Sequence, residues 1–304
     1  MPAPLPPLEL ATRVGPGPCA DPFEAYEREG ADVRARVERF LPEGWTYDGK
    51  RVLDFGCGSA RVLRHFLDEA QRGEFWGCDI DAASVAWIQS HLAPPLRCFR
   101  NEAAPPLPLE ADRFDLVYAT SVFTHIGERW SAWLLELHRI LRPGGVLVSS
   151  FLGEGMWEAL LAEPYREDEV GMTVSRHWTG ADMWVFHSEW WLREHWGRAF
   201  DVTAVARPPR GPDGRPGITH SYIALRKRPV TLTAAELERC EPSEPRELAG
   251  LQTNVRLLRA EVAELVAERD AAAPDLTTAL RRALLDSPAG PPARALRRRL
   301  RRAR

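Results

Sequence analysis

Cysteine is scarce and scattered. Five stand among 304 residues, at Cys19, Cys57, Cys78, Cys98 and Cys240, with no C-x-x-C pair and an odd count. Neither a disulfide framework nor a zinc site follows. Cys57, Cys78 and Cys98 fall in apolar stretches and read as reduced, buried thiols, as expected in a cytoplasmic protein. Long apolar runs are missing too: none approaches the ~20 residues of a membrane span. The proline-studded start, MPAPLPPLEL, has neither the positive n-region nor the apolar h-region of a signal peptide. Charge of one sign is lacking as well. Forty Lys and Arg against 43 Asp and Glu leave a net charge of -3, so no specific nucleic-acid partner is expected. No His and carboxylate cluster has ligand spacing, and no metal is expected.

What remains is an ordinary composition, 44% hydrophobic and 27% charged. The length suits one domain of about 200 residues with appendages. Residues 1–21, rich in Pro and Gly, are expected to lack regular structure. DPFEAYEREGADVRARVERFL then reads as a helix capped by Asp21, with Pro22 at its first position and Gly30 as a possible break. From Arg51 strands and helices alternate. RVLDF, EFWGCDI, LRCF, RFDLVYAT and GGVLVSSF read as strands; ARVLRHFLDEA, DAASVAWIQSHL and ERWSAWLLELHRIL read as helices. Apolar strands alternating with helices predict a parallel sheet covered on both faces. After Phe151 the rhythm fails until the helix SEWWLREHWG, and FDVTAVA and SYIALRK then predict a hairpin that adds an antiparallel strand. The expected fold class is α/β: a doubly wound, mostly parallel seven-stranded sheet with an antiparallel last strand, plus a C-terminal helix.

The chemistry gathers at VLDFGCGSA. A carboxylate at the end of an apolar strand is costly unless it meets a partner. The glycines after it mark a tight turn or a close approach. In a doubly wound sheet this turn lies in the crevice where ligands bind. A dinucleotide fingerprint would need a third glycine where Arg61 stands, and Asp54 would repel a pyrophosphate. Asp79 ends the second strand, placed to accept from both hydroxyls of a ribose. An adenosine with an intact diol, no pyrophosphate and a cationic tail is therefore expected, and S-adenosylmethionine meets all three conditions.

On these residues the chain resembles the class I S-adenosylmethionine-dependent methyltransferases over about 22–228. VLDFGCGSARVLRHF resembles their first motif, with Ala60 where a third glycine is common. GCDID resembles the second; RFDLVYATSVFTHI and ELHRILRPGGVLVSSF resemble the fourth and fifth strand regions. The resemblance implies that Asp54 and the Gly56-Cys57-Gly58 backbone hold the methionine end, and that Asp79 holds the ribose. It further implies that Ile80 packs on the adenine, with Asn101 or Glu102 at its amino group, and that Thr120 and Ser121 face the methyl. His125, and less directly His187, are the candidate general bases; His177 and His220 are weaker ones.

Residues 152–186 form an insertion expected to meet the acceptor. Trp157, Trp178, Trp184, Trp190, Trp191 and Trp196 hold six of the eleven tryptophans. Aromatic faces suit planar apolar substrates and sugar rings, although at least two of Trp190, Trp191 and Trp196 are expected simply to pack. The chain also resembles bacterial methyltransferases that accompany glycosyltransferases in polysaccharide or glycolipid pathways, which makes O-methylation of a sugar or glycan the leading expectation. A small metabolite or lipid acceptor, or a catalytically silent scaffold, is the alternative.

Residues 229–247 read as a linker. In 248–270, Leu248, Leu251, Val255, Leu258, Val262 and Leu265 make an a/d seam with Val at two a positions and Leu at every d, the bias of a two-stranded parallel coil and hence a homodimer. Pro274 is expected to end that helix. In the tail 271–304 the last eleven residues carry seven arginines, a candidate contact for an anionic inner-membrane surface or an acidic glycan.

Overall fold

The computed structural model describes residues 3–14, 19–175 and 183–286. His177, Trp178 and the arginine-rich end lie outside the described residues. The chain divides into two units, 1–253 and 254–304.

The first unit is built on a seven-stranded sheet. Its parallel part comprises β1 (Arg51–Phe55), β2 (Glu74–Asp79), β3 (Arg97–Arg100), β4 (Phe114–Ala119) and β5 (Leu141–Phe151). β8 (Phe200–Ala206) and β9 (Ser221–Lys227) complete it, in the order β3-β2-β1-β4-β5-β9-β8. Only β9 runs antiparallel to the rest, between β5 and β8. The strand order reverses between β1 and β4, so the crevice expected at the first Gly-rich turn is where the topology puts it.

Side chains alternate across the sheet. Leu53, Val117, Leu147 and Ile223 join one core with Trp133, Leu137 and Trp196. Val52, Leu116, Val146 and Val148 join the other with Val33, Val37, Phe66 and Ile88. Each such side chain, fully buried, contributes roughly 1.5–3 kcal/mol; β4 is accordingly apolar except for Asp115, which pairs with Lys50 and Arg142, and the hydroxyl of Tyr118. Helix α3 (Ala82–His91) buries Val85, Trp87 and Ile88, and helix α4 (Trp130–Ile140) turns Trp130, Trp133, Leu134, Leu137 and Ile140 inward at the spacing of one helical face.

Several expectations change. Residues 1–21 are not without structure: α1 (Leu8–Val14) buries Leu10 and Ala11, and its Arg13 pairs with Asp81 Oδ1 at 2.8 Å. Helix α2 (Pro22–Glu38) is capped as expected, Asp21 accepting from the Phe23 and Glu24 amides, but Gly30 does not break it. Gly30 is there for contact: a Cβ would lie 2.0 Å from the Arg61 carbonyl oxygen. ARVLRHFLDEA is not an α-helix but two short 3₁₀ turns, Leu63–Phe66 and Glu69–Gln71. The cause is Arg34, which donates to the His65 carbonyl and pairs with Glu69, taking the acceptor a regular helix would use.

The insertion, which has no clear period, holds α5 (Glu154–Leu161) and a small antiparallel pair, β6 (Met172–Ser175) and β7 (Trp184–His187). Helix α6 (Glu189–His195) follows, capped by Ser188. The stretch 229–247 is more than a linker. It contains α7 (Ala234–Glu238) with a full capping box, and buried His195 bridges the Leu237 carbonyl at 2.7 Å and Glu247 at 2.9 Å. Helix α8 (Pro245–Asp286) begins here and supplies the described part of the second unit. It continues through Pro274, contrary to expectation. A proline removes one backbone bond, and the Ala-, Leu- and Arg-rich residues on either side are strong helix formers.

Candidate cofactor and acceptor site

Beyond the ends of β1, β2 and β4 lies a cleft of about 760 Å³. That is within the range of small-molecule sites. Asp54, Gly56, Cys57, Asp79, Ile80, Asn101, Glu102, Thr120, Ser121 and His125 all line it; Gly58, also expected there, does not, its amide being taken by Asp79.

The turn after β1 is pinned to β2. The Gly56 and Cys57 amides donate to the Cys78 carbonyl at 2.8 and 3.0 Å, and the Gly58 amide donates to Asp79 Oδ2 at 2.8 Å. Gly56 has φ +80, and a Cβ there would fall 2.4 Å from Val122 Cγ2. Ala60, in the third-glycine position, takes φ +67, so it adopts the left-handed backbone for which glycine is the usual choice. Asp79 has a structural duty not visible in the sequence: its carboxylate holds the Gly58 amide with Oδ2 and the Asp81 amide with Oδ1. Carboxylate oxygens have about four lone-pair sites, so two remain for a diol.

Asp54 is 3% exposed, and neither its Oδ2 nor the hydroxyl of Tyr118, close enough to favour the ionised carboxylate, makes a well-formed hydrogen bond among the described residues. Burial pushes the Asp54 carboxyl up to about 8, against the opposing pull of Tyr118; Asp79 adds to the rise and Arg61 opposes it. An orphaned buried carboxylate beside a glycine turn fits the ammonium of a methionine tail. Ile80 is 59% exposed at the cleft, an apolar plate without a cover. Asn101 is buried and its amide donates to the Glu102 carbonyl at 2.8 Å. Ser121, at φ +60, is held by its amide donating to Ser150 Oγ at 2.7 Å. The residues present therefore fit S-adenosylmethionine, which supplies an already activated methyl group.

Of the candidate bases, His125 is exposed on the cleft wall. Its Nδ1 lies 3.0 Å from the Met183 carbonyl oxygen, and its ring lies 5.2 Å from that of Trp184. A carbonyl only accepts, so Nδ1 carries the hydrogen and Nε2 is left with a free lone pair. His187 is not brought to the cleft. It is fully buried between Trp191 and Trp196, and burial pushes it down to about 3. Trp190, Trp191 and Trp196 all pack in the core, as does Trp157. Trp184 reaches the cleft, joined by Trp133. Cys57 and Cys78 are buried free thiols, but Cys98 is only half-buried. Among the described residues no three His, Cys, Asp or Glu stand together to hold a metal, and no helix is long and apolar enough to cross a membrane.

Residues 53–147 match the Methyltransf_12 family, described as a methyltransferase domain. Over those residues the chain carries an S-adenosylmethionine-dependent methyltransferase domain. It is 30% identical over 168 residues to phthiotriol/phenolphthiotriol dimycocerosates methyltransferase 1 of Mycobacterium ulcerans (strain Agy99), covering 53% of this chain and 57% of that protein. It is 27% identical over 209 residues to malonyl-[acyl-carrier protein] O-methyltransferase of Pseudescherichia vulneris, covering 64% of this chain and 75% of that one. The chain thus spans little more than half the length of the first of these relatives. Among solved structures, a putative S-adenosylmethionine dependent methyltransferase from Listeria monocytogenes superposes with a TM-score of 0.50 at 16% identity, over 66% of this chain and 98% of that one. That likeness concerns the fold.

Sequence reasoning missed other residues of this methyltransferase cleft. Tyr118 and Tyr222 look like ordinary strand residues. Arg36 looks like a solvated helix residue, and Arg61 served only to reject a dinucleotide. Arg13 arrives from a segment expected to be irregular. Their positions depend on how elements meet, which no local pattern records.

Proposed function

We propose that the protein is an active S-adenosylmethionine-dependent O-methyltransferase acting on a small organic acceptor, with His125 as its general base. The observation that carries this reading is the pair of acids at neighbouring strand tips, Asp54 orphaned and Asp79 with lone pairs to spare, on one cleft with a histidine whose Nε2 is free. Methyl transfer from a sulfonium is an in-line displacement, so the chain's task is to hold the two reactants in line and keep water out. Asp54 and the Gly56–Gly58 turn hold the methionine end, Asp79 the ribose, Ile80 the base. His125 Nε2 takes the proton of the acceptor hydroxyl as the oxygen becomes nucleophilic.

Within this class we read the acceptor as a lipid-like or acyl molecule or a sugar. The relatives are named for a dimycocerosate lipid and a malonyl carrier. The Trp184 face beside His125 supports a sugar ring, but with four of the six clustered tryptophans in the core the aromatic wall is smaller than the composition implies. Association of two copies through the α8 seam belongs to the same reading.

Titration calorimetry with S-adenosylmethionine tests it. Wild type should bind, and Asp79→Asn should weaken binding about 10- to 100-fold, the worth of hydrogen bonds to a charged acceptor. Unchanged affinity in that variant, with the fold intact by circular dichroism, counts against the assignment. His125→Ala should leave cofactor affinity unchanged while lowering turnover about 10²- to 10⁴-fold on any acceptor found in a panel of sugars, hydroxylated lipids and phenols.

A further inference from the structure

One side of the cleft has more hydrogen-bond donors than the cofactor can use. Arg36 of α2, Arg61 after the Gly-rich turn, Thr120 at the end of β4, and His220 and Tyr222 at the start of β9 line it together. The Arg36 guanidinium sits 6.0 Å from the Tyr222 ring centre. Neither arginine forms an ion pair among the described residues; Glu29, on the same cleft, is the acid that most favours the Arg61 charge. Burial lowers the Arg61 guanidinium below its usual value and pushes His220 down to about 4, with Arg61, His125 and Arg36 adding to the effect on the imidazole. Thr120 Oγ1, Tyr222 Oη and His220 Nε2 are shut off from solvent, and none makes a well-formed hydrogen bond among the described residues, although Arg36 and Thr120 stand close enough to Tyr222 to favour its ionised form.

Partly desolvated cations and orphaned hydroxyls at one spot need an anion. Each guanidinium offers five N–H donors, and a carboxylate has about four lone-pair sites. Even taking one bond from each arginine and each hydroxyl, the single carboxylate of the cofactor's methionine tail would leave most of the guanidinium N–H groups unmet. The surplus lies near His125, where the acceptor's reactive hydroxyl must come.

We propose that the methyl acceptor carries an oxyanion, a carboxylate or phosphate, which seats between Arg36 and Arg61 against Thr120 and Tyr222. This rests on the methyltransferase reading and narrows it. The anion anchors the acceptor from the side and leaves its hydroxyl free to approach His125. Arginine forks suit such groups because they grip two oxygens at once.

Calorimetry on the full chain saturated with S-adenosylhomocysteine tests the proposal, with phenyl phosphate, benzoate and neutral benzyl alcohol as probes. One or both anions should bind, and the alcohol should not; which anion binds more tightly distinguishes phosphate from carboxylate. Arg36→Gln and Arg61→Gln should each weaken the anion at least about tenfold, and Tyr222→Phe by less. Affinity for S-adenosylhomocysteine should stay within about threefold in all three. No anion binding to the loaded wild type overturns the proposal. So does an equal loss of cofactor affinity in the arginine variants, which would make them the seat of the cofactor's own carboxylate. A wild type that fails to bind S-adenosylhomocysteine defeats the methyltransferase reading itself, a different result.

Discussion

Asp54 shows how one residue couples binding to pH. Its carboxyl is pushed up to about 8 by burial, with Asp79 adding and Tyr118 and Arg61 opposing. In the free protein it is therefore largely protonated at neutral pH. An ammonium ligand prefers the ionised form, so binding must expel a proton. Affinity for S-adenosylhomocysteine should rise up to about tenfold per unit from roughly pH 6 to roughly pH 8, then level. Asp54→Asn should bind weakly and without that slope. Stability of the unliganded protein should change in the opposite sense. A group whose folded value is raised contributes stability present below its unfolded value and lost as pH climbs through the folded one. The thermal midpoint of wild type should thus fall relative to Asp54→Asn between about pH 4 and pH 8. A ligand affinity flat with pH in wild type would contradict the burial argument. At this scale the sequence was informative: an acid ending an apolar strand before paired glycines already posed the question of its partner. It gave no sign of the Tyr118 hydroxyl beside it, because that depends on the pairing of Asp54 with Tyr118 across β1 and β4.

At the scale of elements, the Gly-rich turn holds two residues that look alike in sequence and differ in consequence. Gly56 and Ala60 both take left-handed backbone, at φ +80 and +67. For Gly56→Ala the backbone costs about 1–2 kcal/mol, and the new methyl strikes Val122, an overlap worth a further 1–3 kcal/mol or so. The variant should lose about 2–5 kcal/mol in urea unfolding and bind cofactor poorly, and adding Val122→Ala should recover the overlap part. Ala60→Gly relieves about 1 kcal/mol of backbone but removes a fully buried methyl worth about 0.8, so stability should change by less than about 1 kcal/mol. That balance explains why an alanine is tolerated where glycine is common. The strands were legible because apolar runs flanked by turn residues admit few other readings. What followed the turn was not: the 3₁₀ pieces at Leu63–Phe66 and Glu69–Gln71 exist because Arg34, about 30 residues upstream, claims the His65 carbonyl. The β6–β7 pair was hidden because its strands are only four residues each, too short for an alternation to declare itself.

For the whole molecule the α8 seam sets the state of association. Leu248, Leu251, Val255, Leu258, Val262 and Leu265 are 46–63% exposed, and Val266 beside them is 40% exposed. Their a/d spacing, with Val favoured at a and Leu at d, matches the seam that a second copy of the same helix would fill. Glu261 and Glu268 at g meet no basic e partner in a parallel register, so apolar burial must carry the association. Two chains would cover twelve such side chains. At roughly 1 kcal/mol each for the part now exposed, the gross gain is about 12 kcal/mol, against about 4–15 kcal/mol of lost freedom. The dimer should therefore be marginal and depend on concentration. Sedimentation equilibrium of the full chain should show a monomer at low micromolar protein shifting to a dimer as concentration rises. Leu258→Glu should hold it monomeric throughout, because a charge at a central d position has no partner across the seam. The exposed site of substitution should leave the melting point of the catalytic unit unchanged, which separates loss of association from loss of folding. A monomer for wild type at every concentration, or a dimer that survives Leu258→Glu, would mean that the seam is not the contact.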